Sequence, residues 1–259
     1  MTSLENLFST PGKKLIGYVP AGYPTFEGAK QIINAMIAGG VDAIEVGFPY
    51  SDPIMDGPII QAAADEALKN GANSETVFQT LKHVSNMSIP GLVMTYWNPI
   101  EKYGIENFAE AVSKNGGTGV ITPDLTIEEA GEWLSACKKY ALDPIFVVAP
   151  STSDIRLKKV TAQCRGFIYA ASLMGVTGTR SAISSQAEDL VARIRNVTSI
   201  PVSVGLGVSN AEQAKTVSKF ADGVIVGSAF IAKVQSAKDF NEALHEVETL
   251  ARELKAGIC

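Results

Sequence analysis

The 259-residue chain is 46% hydrophobic and 19% charged, enough apolar material for a large core and far from the composition of a disordered chain. A formal net charge of −5, with lysine and arginine scattered, supplies no basic stripe and argues against a nucleic-acid partner. Cys137, Cys164 and Cys259 are too few and too far apart for a disulfide framework or a zinc knuckle, the first residues lack the basic and apolar regions of a leader, and no apolar run is long enough to span a membrane, so a cytoplasmic protein is expected.

In chain order, Leu4 to Ser9 reads as a helix ahead of the first strand, and short Val- and Ile-rich runs then alternate with segments of helical periodicity. Strands are predicted at Leu15 to Pro20, Ala43 to Phe48, Leu92 to Tyr96, Gly119 to Thr122, Pro144 to Ala149, Phe167 to Ser172, Pro201 to Gly205 and Gly223 to Val226. Helices are predicted at Phe26 to Ala38, Ile60 to Lys69, Glu106 to Lys114, Ile127 to Tyr140, Asp154 to Thr161, Gln186 to Arg195, Ala211 to Ser218 and Phe240 to Lys255, with Ser74 to Val84 as an added helix before the third strand. Thr25, Thr126, Ser153 and Asn210 stand at N-cap positions. Eight βα units, in a length close to the roughly 250 residues of an α/β barrel, predict one domain over residues 1–259. The expected fold is a (β/α)8 TIM barrel with an extra N-terminal helix and the extra helix before the third strand. A doubly wound sheet fits less well, because its first turn is Gly-rich and here that turn is Pro20-Ala-Gly-Tyr-Pro24.

Glycines gather after the last three strands: Gly175-Val-Thr-Gly178, Gly205-Leu-Gly207, and Gly227 before Ser228. Neighbouring loops of that kind let backbone N–H groups approach an anion, and Ser228 opens a helix whose positive end adds to the field; this predicts a phosphate site. In Ala43-Ile-Glu-Val-Gly-Phe48, alternation sends Ile44, Val46 and Phe48 toward the helices and turns Glu45 into the barrel. Burial there should raise the Glu45 pKa toward working pH, which suits a general acid/base, and no lysine or arginine in the predicted strands offers it an ion pair. The following loop carries Asp52 and Asp56, each also able to serve a turn, and nearness to Glu45 favours Asp56. Tyr96, Asn98, Asp124 and Tyr169 at strand ends would ring the same mouth. His83 and His245 fall in helices, so no metal centre is expected, and with no strand lysine a Schiff base has no nucleophile.

The segment Glu45-Val-Gly-Phe-Pro-Tyr-Ser-Asp-Pro-Ile-Met-Asp-Gly-Pro58 resembles the signature of the tryptophan synthase alpha chain family. The resemblance extends through Pro20 to Pro24, Pro123-Asp124-Leu125, Tyr169 with Gly175 to Gly178, Gly205 to Gly207, and Gly227-Ser228. It implies a carbon–carbon lyase that cleaves indole-3-glycerol phosphate by a retro-aldol reaction to indole and glyceraldehyde 3-phosphate. Glu45 would move protons and Asp56 would hold the indole N–H. Tyr18, Ile60, Met94, Tyr96 and Ile121 would line the indole pocket, with Tyr169 near the catalytic carboxylate and Thr177 closing over the site to bond Asp56. Gly178, Gly207, Gly227 and Ser228 would hold the phosphate. No cofactor is implied on this chain; pyridoxal phosphate belongs to the beta chain, the partner implied in an α2β2 heterotetramer, met through the barrel mouth with Pro49, Asp52 and the turn at Asn98 to Tyr103 as contacts. Leu173 stands where enteric members have arginine, and Tyr18 where they have phenylalanine.

Two rival readings differ in their demands. Another phosphosugar barrel, such as an isomerase or indole-glycerol-phosphate synthase, would share the late glycine loops but lean on a strand-end lysine, histidine or metal. A non-catalytic activating subunit would not need Glu45 and Asp56 intact.

Overall fold

In the computed structural model, which describes residues 4–171, 180–205 and 207–259 with the side chains of 180–184 excepted, all eight predicted strands form. They are β1 (Lys14–Pro20), β2 (Ala43–Gly47), β3 (Gly91–Met94), β4 (Gly117–Thr122), β5 (Asp143–Val148), β6 (Ile168–Ala171), β7 (Val202–Gly205) and β8 (Gly223–Val226). Each pairs in parallel with its neighbour in chain order, and β8 returns to β1 through Ile16↔Ile225 and its flanking residues, so the sheet is a closed barrel without an open edge. This is the expected (β/α)8 barrel, and it excludes the open doubly wound sheet.

Around it lie α2 (Phe26–Ala38), α3 (Pro58–Lys69), α4 (Ser74–Asn86), α6 (Ile105–Lys114), α7 (Gly131–Lys139), α8 (Asp154–Thr161), α9 (Arg180–Arg195), α10 (Ala211–Ser218) and α12 (Phe240–Ile258). Thr25, Ser153 and Asn210 cap α2, α8 and α10 as their positions predict, each accepting from a backbone N–H three residues on. None of these helices is long and apolar enough to cross a membrane.

Strand alternation divides the core in two. Leu15, Val19, Ile44, Val46, Val93, Val120, Val202 and Val204 point outward into one cluster with the helices. Ile16, Ala43, Leu92, Ile121, Ile145, Phe167 and Ile225 point inward and fill the barrel. Leu4 on α1 (Leu4–Ser9) is fully buried in that inner cluster, Leu7 and Phe8 pack against it, and the Phe8 ring lies 5.8 Å from that of Phe167. The N-terminal helix is therefore a plug for the lower end of the barrel.

Three expectations need correction. β1 begins one residue early, at Lys14, so a strand does contain a lysine. Its ammonium is spent at the lower end, donating to Thr10 O, Thr10 Oγ1 and Pro11 O, and Tyr18 at the other end of the strand is roughly 13 Å away along the chain. The helix predicted from Ile127 starts only at Gly131: Thr126 bonds the Glu129 carboxylate in a separate turn and does not cap α7. The turn expected at Asn98 to Tyr103 is a helix, α5 (Trp97–Tyr103), whose first N–H groups include that of Trp97, held by Asp124. Ser228 opens a helix as expected, α11 (Ser228–Ser236).

If α1 is core and not decoration, Leu4→Ala should lower the unfolding free energy by about 2–5 kcal/mol, read from the urea midpoint at constant m-value; a change near zero would show that the plug carries no weight.

Candidate active site

Glu45 lies in the middle of β2, with Tyr18 of β1 and Leu92 of β3 as its register partners. It faces inward, is 1% exposed, and rests on the apolar layer of Ala43, Leu92 and Ile121. Burial pushes its pKa up to about 8. Among the described residues no hydrogen-bond partner reaches its buried Oε1. A carboxyl in that position is protonated near neutral pH and presents an unsatisfied oxygen to whatever enters the barrel.

Tyr18 and Tyr169 share the space above it. Both phenols have pKa values held well above the ordinary range, first by burial and then by the charges of Glu45 and Asp56, so these two tyrosines and two carboxylates converge on one volume. Room for the tyrosines comes from glycines. A Cβ on Gly47 would collide with the Tyr18 hydroxyl and ring, and one on Gly205 would come within 2.5 Å of the Tyr169 hydroxyl. Sequence reasoning read Gly205 as part of a phosphate loop and gave Gly47 no role. The available signal was positional: both are inward-facing residues at strand ends.

Asp56, partly exposed in the loop after β2, accepts from the Tyr96 hydroxyl at 3.2 Å; the same hydroxyl accepts from Met55 N at 3.0 Å. Burial raises the Asp56 pKa, and the Tyr96 hydrogen bond opposes the rise. Asp52 is exposed and accepts from Ser51 Oγ at 2.6 Å. Behind Tyr96, the Tyr50 ring lies 5.4 Å away and Asn98 Nδ2 donates to the Tyr50 hydroxyl at 2.8 Å. Tyr50 escaped the sequence reading because a lone tyrosine in a loop has no pattern.

The remaining predicted residues divide by position. Met94 ends β3 beside the inner cluster, Ile121 belongs to that cluster, and Ile60 lies on the first turn of α3. Gly207 has a φ of +64°, the left-handed region. Gly227 is the N-cap residue of α11 and makes no side-chain cap, which leaves the first N–H groups of that helix, Ser228 included, directed at the mouth. Thr177 and Gly178, with Leu173 and Gly175, lie outside the described residues. Asp124 does not line the mouth as a free carboxylate, since it holds Trp97 N at 2.9 and 3.1 Å. His83 bonds Asn34 on the outer helices, and among the described residues no three histidine, cysteine or acidic side chains gather as a metal's ligands would.

The family model described as tryptophan synthase alpha chain matches residues 4–259. The chain belongs to the tryptophan synthase alpha chain family. It is 51% identical over 247 residues to the tryptophan synthase alpha chain of Thermobifida fusca, covering 94% of this chain and 92% of that one. Against the Nocardia farcinica alpha chain it is 47% identical over 259 residues, covering 98% and 95%. Among solved structures, a tryptophan synthase crystal structure from M. tuberculosis superposes with a TM-score of 0.91 at 39% identity, over all of this chain and 99% of that one. The tryptophan synthase subunit alpha of Legionella pneumophila gives 0.88 at 31% identity, over 98% and 96%. By this membership the chain is a lyase of tryptophan biosynthesis acting on indole-3-glycerol phosphate, and the phosphosugar-isomerase reading falls.

The protonated Glu45 has a measurable cost. In the unfolded chain its carboxyl ionises near its ordinary value of 4.5, but in the native state only near 8, so stability falls as pH rises between those values and is flat outside them. Glu45→Gln, which cannot ionise, should gain on wild type by on the order of 5 kcal/mol between pH 4.5 and 8. Denaturation at a series of pH values checks this; a pH-independent difference would mean that Glu45 is ionised at neutrality.

Proposed function

We propose that Glu45 is the acid and base of a retro-aldol cleavage of indole-3-glycerol phosphate and that Asp56 binds the indole N–H. The observation that carries this reading is the buried, protonated Glu45, whose Oε1 has no hydrogen-bond partner among the described residues. Its proton goes to indole C3, giving an iminium-type ring whose positive charge the Asp56 carboxylate stabilises. The resulting Glu45 carboxylate takes the proton of the adjacent side-chain hydroxyl. A carbonyl forms there, the electrons of the carbon–carbon bond flow back into the ring, and indole and glyceraldehyde 3-phosphate separate with Glu45 again protonated. The protonated ring is the electron sink, so the chemistry asks for neither metal nor cofactor on this chain.

Tyr18, Ile60, Met94, Tyr96, Ile121 and Tyr169 form the indole pocket in this reading. Gly178, Gly207, Gly227 and Ser228 take the phosphate, mainly through backbone N–H groups and the start of α11. Thr177 is the residue the family resemblance assigns to close over the site and bond Asp56. The tyrosine hydroxyls of Tyr18 and Tyr169 add polar contacts beside the reacting hydroxyl. The protein works in the cytoplasm as one barrel domain.

The partner is the beta chain of tryptophan synthase, carrying pyridoxal phosphate, in an α2β2 assembly. Its seat is the mouth, where large apolar side chains stand unusually open: Ile54 is 75% and Ile155 77% exposed, in the loop after β2 and the first turn of α8. Pro49, Asp52 and α5 border that face. Exposed side chains of that size, grouped at one end, suit a protein interface.

The deciding experiment is indole release from indole-3-glycerol phosphate by wild type and Glu45→Gln, each with and without the beta chain. Stimulated release by wild type and none by Glu45→Gln supports the assignment; beta-chain activation that survives in a Glu45→Gln variant with wild-type lyase activity overturns it. Asp56→Asn should lose about 10²-fold or more in kcat while glycerol phosphate binding is unchanged.

A further inference from the structure

We propose that Tyr96 is a positioning residue of the reaction: its hydroxyl fixes the Asp56 carboxylate in place and orientation for the substrate, beyond any contact its ring makes with indole. This rests on the reading that Asp56 binds the indole N–H.

Asp56 has no rigid element of its own. It sits between the end of β2 and the start of α3, flanked by exposed Met55 and Gly57. Gln61 Nε2 on α3 ties the Asp56 carbonyl at 2.7 Å, but among the described residues what reaches the Asp56 carboxylate is the Tyr96 hydroxyl, which accepts from Met55 N and donates to Asp56 Oδ2. Two consecutive residues on one hydroxyl define both the backbone path and the direction of the carboxylate.

Tyr96, in contrast, is anchored on three sides. It is 6% exposed, it is the N-cap residue of α5, and the next N–H, that of Trp97, is gripped by both oxygens of Asp124 from the loop after β4. Its ring packs against Tyr50, whose own hydroxyl is tied to Asn98 on the first turn of α5. The rigidity of β3 and β4 thus reaches the carboxylate through the phenol.

The electrostatics lean the same way. Among the described residues, the titratable groups sharing the space with Asp56 are Glu45 on β2, Tyr18 on β1, Tyr169 on β6 and Tyr96 itself, and none of these is a cation. Burial drives the Asp56 carboxyl toward its neutral form, and the Tyr96 hydrogen bond is the influence that opposes it. Because the phenol's own ionisation is pushed up to about 12, first by burial, it remains a donor throughout the working pH range. A hydrogen bond to the charged form stabilises that form, and an ionised Asp56 is what the developing ring charge requires.

Tyr96→Phe keeps the ring against Tyr50 and removes the oxygen, and water can take over Met55 N in so exposed a loop. With the beta chain present, kcat should fall about 10-fold with KM changed by less than about 3-fold, and the acidic limb of kcat/KM should move to higher pH. In free protein with 13C-labelled aspartate, the Asp56 carboxyl should titrate at higher pH in Tyr96→Phe than in wild type. Adding Tyr96→Phe to Asp56→Ala should cost nothing further. An unmoved Asp56 titration, or an equal loss in the Asp56→Ala background, overturns the proposal. Wild-type turnover in Asp56→Ala would instead overturn the reading of Asp56, with the titration still deciding whether Tyr96 holds the carboxyl.

Discussion

An ionisable carboxyl set on top of a dry, apolar barrel interior is the constraint that organises this molecule. Below Glu45 the barrel is packed with Ile16, Leu92, Ile121, Ile145, Phe167 and Ile225 and stoppered by Leu4, so water has no route to it from beneath. The lysine that might have neutralised it, Lys14, is on the neighbouring strand but bound at the wrong end. With Glu45 buried and no cation beside it among the described residues, burial holds its proton near neutral pH. The native state pays for this in stability, the usual relation between a site's chemistry and the fold that holds it.

Around that carboxyl the order of rigidity runs from strand to loop. Glu45, Tyr18 and Tyr169 are on strands and are fixed by the pleat. Asp56 is on a loop that also carries exposed Ile54 and Met55. In the proposed reading, a loop of that kind responds to a partner at its outer surface while Asp56 on its inner surface meets the substrate, provided something defines its resting position. The phenol of Tyr96 supplies that reference point.

Much of this was legible in the sequence because it follows from short-range periodicity. Alternation in Ala43 to Phe48 was enough to turn Glu45 inward, and eight Val- and Ile-rich runs were enough for a barrel. Where the reading failed, long-range contacts had decided the matter. The start of α5 depends on a carboxylate 27 residues further along, at Asp124, and Thr126 lost its capping role to a clasp with Glu129. Position shows Gly47 and Gly205 facing inward at strand ends, but not that they make room for the rings of Tyr18 and Tyr169 on other strands. Nor does Tyr50 advertise its place behind Tyr96. Pattern reports which face a residue takes; it does not report what stands opposite.

The plug formed by α1 has a further consequence. Because Leu4, Leu7 and Phe8 fill the lower end with Phe167, the barrel is a blind-ended cup, and the mouth is at once entrance and exit. Traffic through a single doorway has to be ordered in time. Any protein seated on Ile54 and Ile155 stands in that doorway, so it can rule on which molecule leaves first without touching the chemistry below. A second exit at the bottom would have let indole drain away into water; a stoppered barrel turns the fate of the product into a question about who is standing at the rim.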